Sequence, residues 1–245
     1  MSNLSTTMDL MVETVAFNNA GVACFDAGNK RVARDLFRGA LVILLGVERT
    51  ASPSFIDGSP EHCAKLRARH HLQNVDTYIG ENAKSLGQLE VSDKEGCLSM
   101  HTKAFLIQGD EDASNLLRVQ MQGASPGGRL TRTRSAIILF NWALVEQVHN
   151  PSSPNVVSLY NSAFSLLRGS EVVEPFVLAI MNNLAVWHLE MGDTNAAEGW
   201  VQELTWKIRL CSSFADEKEK EVFIANIVWM LVPATRRQRF AAAAA

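Results

Sequence analysis

Two apolar stripes joined by a Gly-Asn turn constrain this chain more than anything else in it. Phe17, Ala20, Gly21 and Cys24 are spaced i, i+3, i+4, i+7, which places them on one face of an α-helix. Ala33, Phe37 and Ala40 follow at i, i+4, i+7 and mark one face of a second helix. Between them, Gly28-Asn29 supplies the left-handed backbone that a helix C-terminus needs. Small residues at set places on both faces let such a hairpin stack closely on others of its kind. The pattern predicts an all-α repeat protein.

Moved along the chain without gaps, the same template lands on Phe140, Ala143, Leu144, Gln147, Val156, Tyr160 and Ala163. It lands again on Met181, Leu184, Ala185, His188, Ala197, Val201 and Leu204. The third copy keeps the turn as Gly192-Asp193. The second replaces it with Asn150-Pro151-Ser152-Ser153-Pro154, where two prolines end one helix and open the next. In residue class and spacing the three copies resemble the tetratricopeptide repeat, with Cys24 in a slot that is usually aromatic. None has the proline that usually follows the second helix, and the last step exceeds the ~34 residues usual for this class.

The resemblance covers roughly a hundred residues and implies a right-handed solenoid of about eight helices, with a concave groove for a partner. On this reading residues 1–245 form a single helical domain. The first repeat spans 5–49, a long amphipathic helix 60–89, an irregular insert 90–130, the second repeat 131–168 and the third 172–212. A capping helix over 214–232 and a tail over 233–245 complete it. Inside the insert, Ala104–Gln108 and Leu116–Met121 read as the strands of a β-hairpin, and Gly123–Gly128 as a flexible loop before a helix from about Thr131.

Composition narrows the function. With 47% hydrophobic and 20% charged residues the chain is globular, and a net charge of -3 gives no global field that attracts nucleic acid or acidic lipid. The longest apolar runs, Ala40–Val47 and Ile224–Val232, fall short of the ~20 residues that span a bilayer. Met1-Ser2-Asn3-Leu4 shows neither the basic start nor the apolar core of a secretory signal. Cys24, Cys63, Cys97 and Cys211 lack framework spacing, so free thiols in an intracellular compartment, cytoplasmic or nuclear, are expected.

Enzymatic motifs are incomplete. Gly123-Ala124-Ser125-Pro126-Gly127-Gly128-Arg129-Leu130 has the glycine spacing of a phosphate-binding loop. That chemistry wants Lys and then a hydroxyl for magnesium, and Leu130 cannot ligate a metal. His62, Cys63, His70 and His71, or Cys97 and His101, lack the paired spacing of zinc modules, so no metal and no cofactor are expected. Arg129, Arg132 and Arg134, like Arg236, Arg237 and Arg239, read as surface charge flanking helices.

One register over from the packing face lies a different constellation. Asn18, Asn141 and Asn182 each follow the first large apolar residue of a copy, the position that lines the groove in tetratricopeptide proteins. Val22, Phe25, Val145 and Val186 share the stripe. An amide both donates and accepts, so it can hold the backbone of an extended peptide whatever its sequence. The alternative is structural: each Asn bonds a neighbouring repeat or a loop carbonyl. The expected function is non-enzymatic binding of a protein or peptide, without nucleic acid or membrane. The alternatives are a nucleotide-binding or other enzyme using Gly123–Gly128 or a pocket in the insert, and a homo-oligomer that fills its own groove.

Overall fold

Proline and glycine punctuate the helices. The computed structural model describes residues 2–48, 60–74, 100–107, 126–167, 175–210 and 217–231. Among these the chain is all-helical, without a strand. The helices are α1 (Ser2–Asp26), α2 (Lys30–Glu48), α3 (Pro60–Gln73), α4 (Pro126–His149), α5 (Pro154–Leu167), α6 (Pro175–Glu190), α7 (Thr194–Leu210) and α8 (Glu217–Leu231). Pro60, Pro126, Pro154 and Pro175 each open a helix, where the missing N–H has no partner to lose.

Two hairpins turn by the same device. At the end of α1, Gly28 takes φ 78°. Asn29 N–H donates to Cys24 C=O and Gly28 N–H to Phe25 C=O, both at 2.8 Å. At the end of α6, Gly192 takes φ 80°. There Asp193 N–H reaches His188 C=O at 2.8 Å and Gly192 N–H reaches Leu189 C=O at 3.0 Å. The next residue then caps the following helix. Asn29 Oδ1 accepts from Val32 N–H at 3.4 Å, and Asp193 Oδ1 from Ala196 N–H at 3.1 Å.

Two compact units result. The first holds α1–α5 with residues 104–107. Phe17, Cys24, Ala33, Phe37 and Ala40 are fully buried and form the core of the first hairpin, while Ala20 of the same template is half-buried. Helix α2 packs on α1, α3 and α4, and α4 packs on α5, where Phe140, Leu144, Val156, Tyr160 and Ala163 are fully buried. Each large side chain taken fully out of water contributes ~1.5–3 kcal/mol. The α1–α2 and α2–α3 contacts are close because they are built on glycine. A Cβ at Gly21 would stand 2.6 Å from Phe37 Cε1, and one at Gly39 would overlap the Ala68 Cβ. Helix α3 is also tied to α1 by Arg69, whose Nη2 donates to Glu13 Oε2 at 2.9 Å, and to α2 by His71 Nε2, 3.4 Å from Asp35 Oδ2.

The second unit holds α6–α8 with residues 100–103. Phe176, Leu178, Ile180, Met181, Leu184, Leu204 and Phe223 are among its large buried side chains. Met100, Leu189, Trp200, Ile227 and Trp229 close around Ala185, Val186, Ala197 and Val201.

The structure departs from the sequence reading in three places. Helix α4 begins at Pro126, so Gly127 and Gly128 are helical and do not form a loop. Ala104–Ile107, expected as a strand, is neither strand nor helix, because side-chain amides take the place of a neighbouring strand. Arg134, expected at the surface, is buried. Residues 75–99 and 108–125, which carry the rest of the expected long helix and insert, lie outside the described residues, as does the tail 233–245.

The Gly39–Ala68 approach makes a sharp test. A methyl at Gly39 meets a backbone-anchored Cβ that cannot rotate away, so Gly39→Ala is expected to destabilise the chain by ~1–3 kcal/mol through overpacking. Adding Ala68→Gly removes the opposing methyl and is expected to restore at least half of the loss in a denaturant melt. Additive effects of the two changes would show that α2 and α3 do not meet there.

Candidate peptide-binding groove

Helix α1 carries Asn18 and Asn19 directly after the core residue Phe17, and α4 carries Asn141 directly after the core residue Phe140. Their amides therefore emerge beside the apolar face of each helix, and Asn18 and Asn141 are fully buried. Buried amides must find partners, and these find one another and residues 104–107. Asn141 Oδ1 accepts from Phe105 N–H at 2.9 Å, while its Nδ2 donates to Phe105 C=O at 2.8 Å and to Asn18 Oδ1 at 2.9 Å. Asn18 Nδ2 donates to the same Phe105 C=O and to Asn19 Oδ1, both at 3.1 Å. Asn19 then repeats the clamp one step on. Its Oδ1 accepts from Ile107 N–H and its Nδ2 donates to Ile107 C=O, both at 2.9 Å.

Phe105 and Ile107 are two residues apart, the alternation with which an extended chain presents N–H and C=O to one edge. Asn141 and Asn19 thus offer that edge one acceptor and one donor per site, as a neighbouring strand residue would. Side chains add a second layer. The Phe105 ring stands edge-on to Phe140 with centroids 5.3 Å apart, and Phe140 lies 5.5 Å from Tyr160. Tyr160 Oη donates in turn to Gln147 Oε1 at 2.9 Å.

The second unit repeats the arrangement on its own segment. Asn183 Oδ1 accepts from His101 N–H at 2.7 Å, and Asn183 Nδ2 donates to His101 C=O at 3.0 Å. Asn182 stands behind it, donating from Nδ2 to Asn183 Oδ1 at 3.3 Å. Asn226 of α8 donates to Asn182 Oδ1 at 2.5 Å, as Asn141 donates to Asn18. The His101 ring stacks on Phe223 at 5.9 Å.

Of the residues singled out in the sequence, Asn18 and Asn141 converge on one backbone carbonyl in the first unit. Asn182 lies one layer behind the clamp in the second. Val22, Val145 and Val186 are buried and Phe25 is half-buried. Sequence reasoning missed Asn19, Asn183 and Asn226. The signal for the first two was visible as the doublet Asn18-Asn19, repeated as Asn182-Asn183 at the same template position. It also missed that the chain carries its own extended segment to these amides.

The clamps are uncharged, so this geometry binds and orients a backbone. Among the described residues no group of three or more His, Cys, Asp or Glu could hold a metal ion. Burial pushes the Cys24 thiol up to about 11, far from a reactive thiolate. Among the described residues no helix is long and apolar enough to cross a membrane. No protein-family model, curated protein or solved structure matches the chain.

Acid should act on the second clamp. Burial pushes the His101 imidazole down from 6.5 to about 4, so the folded state favours the neutral ring. A depressed histidine contributes stability that is complete above pH 6.5 and is lost as pH falls towards 4. Folding stability is expected to drop by roughly 3 kcal/mol across that interval from this group. His101→Phe keeps a ring against Phe223 and should flatten the slope in denaturant melts at pH 7, 5.5 and 4. An unchanged slope would contradict the assignment.

Proposed function

We propose that this chain is a tetratricopeptide-like helical-repeat protein that binds a protein or peptide partner without catalysing a reaction. One observation carries the reading: Asn141, Asn18 and Asn19 hold the N–H and C=O of Phe105 and Ile107 by paired amide bonds. Such bonds recognise a backbone and are indifferent to sequence, which is what a peptide groove needs. The hairpin geometry supports the repeat reading. In the first unit α1/α2 and α4/α5 are antiparallel hairpins, and the second helix of one packs on the first helix of the next.

The nucleotide-binding alternative draws no support from the fold. Helix α4 takes in Gly127 and Gly128, and Leu130 offers no oxygen to a metal. The free thiols Cys24 and Cys63 suit a reducing, intracellular compartment.

Peptides selected from a displayed library on the intact protein provide the test. Bound peptide is expected to move the side-chain amide NMR signals of Asn18, Asn19 and Asn141 and leave those of exposed asparagines such as Asn150 in place. Binders that leave the three signals unmoved would put the interaction surface elsewhere.

A further inference from the structure

Residues 104–107 are bound as a ligand would be, and they specify the ligand. We infer that this groove takes an extended peptide with a small residue, an aromatic, any residue and an aliphatic in sequence, and that Ala104-Phe105-Leu106-Ile107 occupies the site in its place. The inference rests on the proposed peptide-binding function and names the class of peptide.

The amides read only backbone, so selectivity must come from side chains. Ala104 is 7% exposed and Ile107 4%, so the first position has room for a small group and the fourth encloses an aliphatic. The Phe105 ring meets Phe140 edge to face, an arrangement an aliphatic side chain cannot reproduce. Leu106 is 61% exposed, so the third position is unread. The amide bonds that hold Phe105 and Ile107 carry no charge, so backbone recognition through them needs no free terminus and no phosphate on the ligand and should be insensitive to salt.

The segment is poised to leave. Phe105 and Ile107 are held by side-chain amides and not by a strand ladder, and Thr102, Lys103 and Leu106 face solvent. A short stretch outside any helix or strand ladder opens at lower free energy than the helices beneath it. Its tether nevertheless gives it a high effective concentration, so only a peptide that matches it well in trans displaces it. Segment and incoming peptide use the same amides. An asparagine variant weakens both at once, so the amides must be tested with the segment released.

The experiment uses the full chain and a fluorescein-labelled synthetic peptide of residues 101–107, with a control peptide in which Phe105 and Leu106 are exchanged. Ile107→Asp places a carboxylate in an enclosed apolar site and should free the segment. Measured by fluorescence anisotropy, the Ile107→Asp protein is expected to bind the peptide at least tenfold more tightly than the unaltered chain. It should bind the control at least tenfold more weakly than the peptide, and adding Asn141→Ala should lose at least tenfold in affinity. Equal binding of the two peptides would overturn the sequence preference while leaving the peptide-binding function standing. Binding of neither would sink both. Should Ile107→Asp fail to fold, hydrogen exchange on the unaltered protein decides. The Phe105 and Ile107 amides are expected to exchange at least tenfold faster than those of Ala143 and Leu144 in α4. Equal protection would make the segment a permanent part of the core and overturn the inference.

Discussion

The carboxamide of Asn141 is the constraint around which the first unit is arranged. It is fully buried beside Asn18 of α1, where an unpaired amide would cost ~1–3 kcal/mol. Both of its protons and one lone pair of its oxygen are committed: one proton to Phe105, one to Asn18, and the oxygen to the Phe105 N–H. No helix can supply that set of partners from its own backbone, since those groups are already used within the helix. The free peptide edge of residues 104–107 supplies two of those partners and a second asparagine the third. The buried amides thus select both the neighbour of α4 and the path of residues 104–107, a role in specificity more than in net stability.

The same logic operates twice along the chain. In each unit a doublet on one helix, Asn18-Asn19 or Asn182-Asn183, combines a backbone clamp with an amide bonded to it. In each, a single Asn from a helix further along the chain, Asn141 of α4 or Asn226 of α8, donates to that amide's oxygen. The clamped segments differ. One presents an aromatic and an aliphatic side chain, and the other a histidine whose charge is suppressed by burial. The backbone-reading part is therefore shared, and the side-chain-reading part is separate in each unit.

The hairpins were legible in the sequence because their signals are local. Period-3.6 stripes such as Ala33, Phe37 and Ala40 encode a buried face, and Gly28 and Gly192 encode a left-handed turn that other residues adopt at a cost of ~1–2 kcal/mol. The stripe carrying Asn18 and Asn141 could be placed by the same periodicity. What those amides hold could not, because it depends on a segment distant in sequence. Ala104–Ile107 has the alternation of a strand in its residues, and nothing local says that asparagines will stand in for the second strand. The start of α4 was misplaced for a related reason. Gly127 and Gly128 weaken a helix locally, but Pro126 at its opening and the packing of the helix beyond them outweigh that preference.

Side-chain amides, and not side-chain packing alone, hold the backbone of residues 104–107. Replacing a single backbone N–H by an ester oxygen removes one donor and leaves every side chain in place. An ester at Phe105 deletes the bond to Asn141 Oδ1 and strands a buried acceptor, so the chain is expected to lose ~1–3 kcal/mol in a denaturant melt. An ester at Leu106, which lies exposed between the two clamped residues, is expected to change stability by less than about 0.5 kcal/mol. Equal losses at the two positions would show that the amides do not distinguish the edge of the segment that they hold.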